Sequence, residues 1–224
     1  MKILLCLAAG WATLATTATA QRVPVQDRPS VFKPSGPKAG AKDTRRVVQK
    51  FANCLAKRSM SGVAQFLDEK MDRLSPALRS RASDCLGESI DSDESALKGQ
   101  TDTYRYALAE AYVVRKYGDA GVADLSYIAP LEHPGEGPES NRHGLGMLSE
   151  CIIRKSPGES WNLLRTDAAS VEEKTAFAAL SPAMQSCVRR GTTMKMPAFF
   201  VRGAIAQTYY MISLAPRIAP GSAK

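Results

Sequence analysis

Two histidines, His133 and His143, stand among Glu132, Glu136, Glu139 and Asn141. Imidazole beside carboxylate is the equipment of an acid–base pair, and imidazole nitrogens with carboxylate oxygens can hold a metal ion. The spacing of His133, Glu136 and His143 matches no ligand pattern, and polar connections between helices commonly have this composition, so no metal and no cofactor are expected. Asp91, Asp93, Ser95, Leu97, Gly99 and Asp102 put oxygens at alternating positions, in the manner of a calcium loop. Ala96 stands where that loop needs its glycine and Asp102 where it needs a bidentate glutamate, so the stretch reads as an acidic connection between helices. Serine-nucleophile elbows, phosphate loops and zinc-protease helices are absent, and no residue is assigned as catalytic.

Cysteine supplies the clearest chemistry. Cys54, Cys85, Cys151 and Cys187 have neither a C-x-x-C pair nor nearby histidines, as a redox or zinc set would. Four cysteines in an exported chain read as two disulfides. The order of the surrounding residues chooses among the three pairings. Cys54, Leu55, Ser59, Leu67, Arg105, Ala107, Ala109 and Tyr112 meet Cys151, Ile152, Ser156, Leu164, Arg202, Ala204, Ala206 and Tyr209 at one offset of 97 residues. One supersecondary unit used twice explains that match, and only Cys54 with Cys85 and Cys151 with Cys187 gives each copy the same bridge.

Arg105 and Arg202 recur at the same place in both copies, near Tyr112 and Tyr209, and these four are the candidates for a ligand groove shared between the copies. Guanidinium forks suit carboxylate or phosphate. The competing role is structural: each arginine closes its own copy on helix-end carbonyls or an acidic neighbour. Lys57, Arg58, Arg154 and Lys155 also match, at the ends of first helices, where cations complement the macrodipole.

The elements that must position these residues are helical. Val47, Val48, Phe51, Cys54 and Leu55 repeat as one helix face, and Val63, Phe66 and Leu67 suggest a short second helix. Ser75 and Pro76 open a third, and Tyr104, Leu108, Ala111 and Tyr112 mark a longer fourth. In the second copy Ser156–Glu159 and Ser170–Glu173 read as capping boxes, with helix starts near 157 and 171, and Met196 and Pro197 open the last helix. Alternation of the strand type is nearly absent. The expected fold is all-α, a tandem duplication of a four-helix unit in a pseudo-two-fold arrangement, packed through the two fourth helices.

Lys2, an apolar run from Ile3 to Leu14 and the small residues Ala18, Thr19 and Ala20 have the order of a secretory signal. The expected organisation is a signal peptide over 1–20, a basic, proline-rich disordered arm over 21–43, repeat 1 over 44–117, a flexible linker over 118–144, repeat 2 over 145–214 and a loose tail over 215–224. The apolar run is interrupted too often for a permanent membrane anchor. The formal charge of +8 falls to +7 when Lys2 leaves with the signal, and favours an acidic envelope component over nucleic acid. The block Glu150–Lys155, with Leu163, Leu164, Cys187 and Arg202–Ala206, resembles exported alphaproteobacterial proteins of the sphingomonad type, a group with no established activity to carry over. The expectation is a periplasmic or secreted helical binding or interaction protein without catalysis. The alternative is a cell-envelope hydrolase using His133 or His143 with a neighbouring carboxylate.

Overall fold

Val48, Phe51, Ala52, Leu55 and Ala56 form the buried stripe of α1, Ala41–Arg58, in the computed structural model, which describes residues 41–69, 74–89, 101–121, 125–131, 141–188 and 196–217. The signal, most of the arm, the acidic stretch 90–100, His133 and the end of the tail lie outside those residues. Among the described residues seven further α-helices follow, α2 Met60–Asp68, α3 Pro76–Ser89, α4 Thr101–Tyr117, α5 Asn141–Lys155, α6 Pro157–Arg165, α7 Val171–Cys187 and α8 Ala198–Leu214, with 3-10 turns at Gly118–Ala120 and Leu125–Tyr127. The fold is all-α. Among the described residues the sole β feature is an isolated antiparallel bridge between Ile128 and Arg217. α1 and α5 begin a few residues before the expected unit boundaries, because their first turns are polar and carry no apolar period.

Both first helices break at one residue and resume. At Ser59 the backbone turns to φ −155°, ψ 73°, and at Ser156 to φ −141°, ψ 67°. Each serine still donates its N–H four residues back, Ser59 to the Leu55 carbonyl and Ser156 to that of Ile152, both at 2.9 Å. Each carbonyl accepts from the next turn, from Val63 N and Ser160 N at 3.0 Å. Neither side chain caps, so the capping box expected at Ser156–Glu159 is not formed, and the break is bridged by backbone bonds alone. At α7 the box is half present. Ser170 Oγ accepts from Glu173 N at 3.0 Å, but the Glu173 carboxylate reaches Ala169 N, one residue upstream of the cap, at 2.9 Å.

Cys54 is bonded to Cys85 and Cys151 to Cys187, tying α1 to α3 and α5 to α7 with Cα separations of 5.7 and 5.9 Å. Loops of this length are worth about 3–4 kcal/mol each in the chain-entropy account. Disulfides of this kind belong to an oxidising compartment outside the cytoplasm.

α4 and α8 form the most extensive helix pair, and one continuous apolar core runs along both. Their approach is close because position 203 has no side chain. A Cβ on Gly203 would fall 2.4 Å from Cγ of Tyr106 and 2.6 Å from its Cβ, closer than carbon atoms approach. The ring of Tyr106 fills that space and meets Phe199 and Phe200 edge-on. Tyr106 and Gly203 are themselves separated by the 97-residue offset.

The stretch expected as a flexible linker is held at both ends where it is described. After α4, Trp161 Nε1 donates to the Gly118 carbonyl at 3.2 Å, and Gly121, at φ +68°, lies against the indole. Residues 125–131 then cross α5: Ile128 is buried, and Leu125 and Leu131 pack on the core. Arg154 donates to the carbonyls of Leu125, Ile128 and Ala129, and Glu150 accepts from Leu131 N. Polar composition here hid an apolar anchor spaced once per turn of chain. No helix among the described residues is long and apolar enough to cross a membrane.

Candidate functional site

The densest set of buried polar groups gathers where α1, α4, α7 and α8 meet the turn 164–169. Arg202 projects from the middle of α8, a helix buried nearly all round, so its guanidinium has no route to bulk water and must be satisfied inside. It forks onto Glu110 of α4, Nε to Oε2 at 2.7 Å and Nη2 to Oε1 at 2.8 Å. Nη1 donates to Glu173 Oε1 at 3.0 Å and to Thr166 Oγ1 at 2.9 Å, while Nη2 also reaches the carbonyls of Thr166 and Leu164. α1 adds a second layer. Gln49 Nε2 donates to Glu110 Oε1 at 2.8 Å, its Oε1 accepts from Ala168 N at 2.8 Å, and Arg45 Nη2 pairs with Glu173 Oε1.

Two arginines and two glutamates balance, so the cluster is formally neutral and every one of its carboxylate oxygens is engaged. Burial by itself would push the Arg202 pKa down, but the bonds and charges of Glu110 and Glu173 outweigh it and hold the guanidinium above its ordinary value. The arginine is a permanent cation here. Ala169, in the turn that the cluster grips, has φ 60°, a left-handed conformation that its side chain disfavours. Its N–H is fixed by Glu173, and its carbonyl accepts from Arg46.

Beside the cluster, Arg45, Gln49, Tyr106, Glu110, Phe199 and Arg202 line a cavity of about 20 Å³. A space of that size admits about one water. Arg45 Nε is buried without a partner in this region.

The residues expected to share a ligand groove are parted by the fold. Arg105 donates to the Leu67 carbonyl at 2.9 Å and lies over the Phe66 ring, at the end of α2, whereas Arg202 takes the Leu164 carbonyl at the end of α6. Leu67 and Leu164 are offset partners, so the two arginines do matching work in separate places. Tyr209 is buried against Trp161 and donates to the Pro157 carbonyl at 2.9 Å; burial, then the charge of Glu159, drives its pKa upward. Tyr112 meets Tyr210 edge-on at 5.1 Å across α4 and α8, and Tyr210 donates to Asp68 Oδ1 at 2.6 Å. The expected seam through Tyr112 and Tyr209 is therefore made by Tyr112 and Tyr210, because one residue along a helix turns a side chain by about 100°. His143 opens the first turn of α5, but its side chain, like all of His133, is outside the described residues. Among the described residues no three His, Cys, Asp or Glu side chains converge as a metal site would require.

Neither a protein-family model, a curated protein nor a solved structure matches this chain. Its function has to be argued from its own geometry.

Local pattern missed Arg45, Gln49, Thr166 and the tertiary role of Glu173. The one signal for Glu173 was its place in a capping box, which drew attention to the helix start and away from Arg202. Arg154 was read as a macrodipole partner; it also grips residues 125–129.

Proposed function

We propose that this chain is an exported, disulfide-stapled helical binding module, built by tandem duplication, that works without catalysis in the periplasm or outside the cell. The observation that carries the reading is the closure of the buried cluster: its charges cancel, its carboxylates are fully bonded, and the cavity beside it has room for one water. A scaffold whose buried charges cancel one another presents recognition on its outer surface. The duplication is supported by the shared helix order, the matching breaks at Ser59 and Ser156, the first-to-third-helix bridges and the paired contacts of Arg105 with Leu67 and Arg202 with Leu164. The excess of 30 basic over 22 acidic residues fits an acidic envelope component as the partner.

The test uses the processed, oxidised chain and its His133→Ala/His143→Ala variant, each sedimented with a purified cell-envelope fraction at low and high salt. Retention that is equal for both proteins and weakened by salt is the expected result. Histidine-dependent release of soluble fragments from the envelope would instead establish the hydrolase.

A further inference from the structure

Residues 125–131 lie on α5 as a single 3-10 turn, Leu125–Tyr127, closed by Ile128 N on the Leu125 carbonyl at 3.2 Å, followed by an open run from Ile128 to Leu131. The contacts are of the kind that read a backbone. Arg154 Nη1 donates to the carbonyls of Leu125 and Ile128, both at 3.2 Å, and Nη2 to that of Ala129 at 2.9 Å. Glu150 Oε1 accepts from the amide of Leu131 at 3.0 Å, and Ile128 forms an antiparallel bridge with Arg217 beyond the end of α8. Side-chain selection centres on Ile128, 6% exposed, with the partly buried Leu125 and Leu131 to either side, while Tyr127 is 41% exposed. Backbone hydrogen bonds give affinity and apolar sockets give selectivity, the division of labour by which folded domains take short peptides.

The receiving pair does not depend on the strip it holds. Glu150 and Arg154 are one helical turn apart on α5 and bond to each other at 2.8 Å, so fork and acceptor are set before any peptide arrives. The first unit has no such receptor. Asn53 and Lys57 stand at the corresponding offset positions, both exposed, with neither the planar fork nor the carboxylate.

We propose that the surface formed by Glu150, Arg154, the Ile128 socket and the backbone at Arg217 is a binding site for a short peptide that enters as a single turn and leaves extended, with a branched apolar residue at the junction, and that residues 125–131 are its resident internal occupant. The inference rests on the binding-module reading and gives it a location and a ligand chemistry. An internal occupant competes at an effective concentration of about millimolar, so an external peptide gains entry when it outcompetes the strip or when the strip is loosened.

The probe is a labelled, end-blocked peptide, Leu-Ser-Tyr-Ile-Ala-Pro-Leu, titrated against the oxidised chain. Ile128→Ser, which empties the socket, is expected to bind it at least about tenfold tighter than wild type, and adding Arg154→Ala is expected to remove that gain. Equal binding by wild type and Ile128→Ser, or binding indifferent to Arg154→Ala, overturns the site. Should Ile128→Ser fail to fold, amide exchange on wild type decides: saturating peptide is expected to speed exchange at Leu131, and an unchanged rate overturns the proposal. Envelope retention that persists while the peptide tests fail removes this site and leaves the broader reading standing. Peptide binding without envelope retention sinks the choice of an acidic envelope partner alone.

Discussion

Replacing Arg202 by methionine should destabilise the fold far more than the same change at Arg105, its offset partner. Arg202 makes six hydrogen bonds to Glu110, Glu173, Thr166 and Leu164 and is 3% exposed. Methionine fills much of the volume but leaves Glu110 with Gln49 and Glu173 with Arg45 and one amide, so a neutral cluster acquires a net negative charge in a low-dielectric setting. Breaking a buried pair from one side costs about 3–5 kcal/mol. Arg105 is half-buried, and its contacts include the Leu67 carbonyl and the face of Phe66, groups that carry no charge, so its loss strands no buried ion there and should cost about 1 kcal/mol. The assay is urea unfolding under non-reducing conditions. With a slope of about 2 kcal/mol per molar, the midpoint should fall by about 2 M for Arg202→Met and about 0.5 M for Arg105→Met. Arg202→Lys, which keeps the charge and loses the fork, should fall between them. Equal midpoint shifts for the two methionine variants, or an Arg202→Met cost under about 1 kcal/mol, would refute the claim that the cluster holds α1, α4, α7 and α8 together.

Gly203→Ala drives a methyl into Tyr106 and should cost about 3 kcal/mol, while the same change in a Tyr106→Ala background should add almost nothing; equal costs in calorimetry would show that the two helices move apart freely. Tyr209 has a folded-state pKa raised above its ordinary 10.0, so the neutral phenol is favoured on folding: its stabilisation is complete below pH 10 and is lost as pH climbs above it. Tyr209→Phe should therefore flatten the alkaline fall in stability, at the expense of about 1 kcal/mol at neutral pH for the lost bond to Pro157, and an unaltered alkaline limb would contradict this. Ala169→Gly relieves a left-handed alanine and should stabilise the chain by about 0.5–1 kcal/mol after the entropic penalty of glycine, measurable as a higher urea midpoint; a lower midpoint would show that the turn does not strain Ala169.

How far the sequence can be read depends on how far apart the interacting residues are. Pro157 and Val171 open helices where serine, proline and glutamate chemistry indicated, because a helix start is decided within about four residues. The stripe of Val48, Phe51 and Leu55 was equally local. The cluster was not legible in the same way: Arg45 and Glu173 are 128 residues apart and Arg202 and Glu110 are 92 apart, and nothing in the neighbourhood of one announces the other. The match at an offset of 97 residues bridged part of that distance, since it singled out Arg105 and Arg202 together and favoured one cysteine pairing over two others. It also misled, by implying that matched arginines face a common groove when repetition equally permits each to serve its own helix end. Residues 125–131 escaped notice because the polar half of their anchorage lies 19 to 29 residues away, in Glu150 and Arg154, while the apolar half, Leu125, Ile128 and Leu131, is too short a run to mark a helix.

The meeting of Tyr106 with Gly203 also governs which surfaces can adhere. Were α4 of one molecule to approach α4 of another in the register it uses for α8, two phenol rings would contest a space that holds one; α8 against α8 would leave that space empty. Bulk opposite vacancy thus gives the joint a polarity that an identical pair could not have, so pairing of α4 with α4 or of α8 with α8 between partly folded molecules is disfavoured by shape alone.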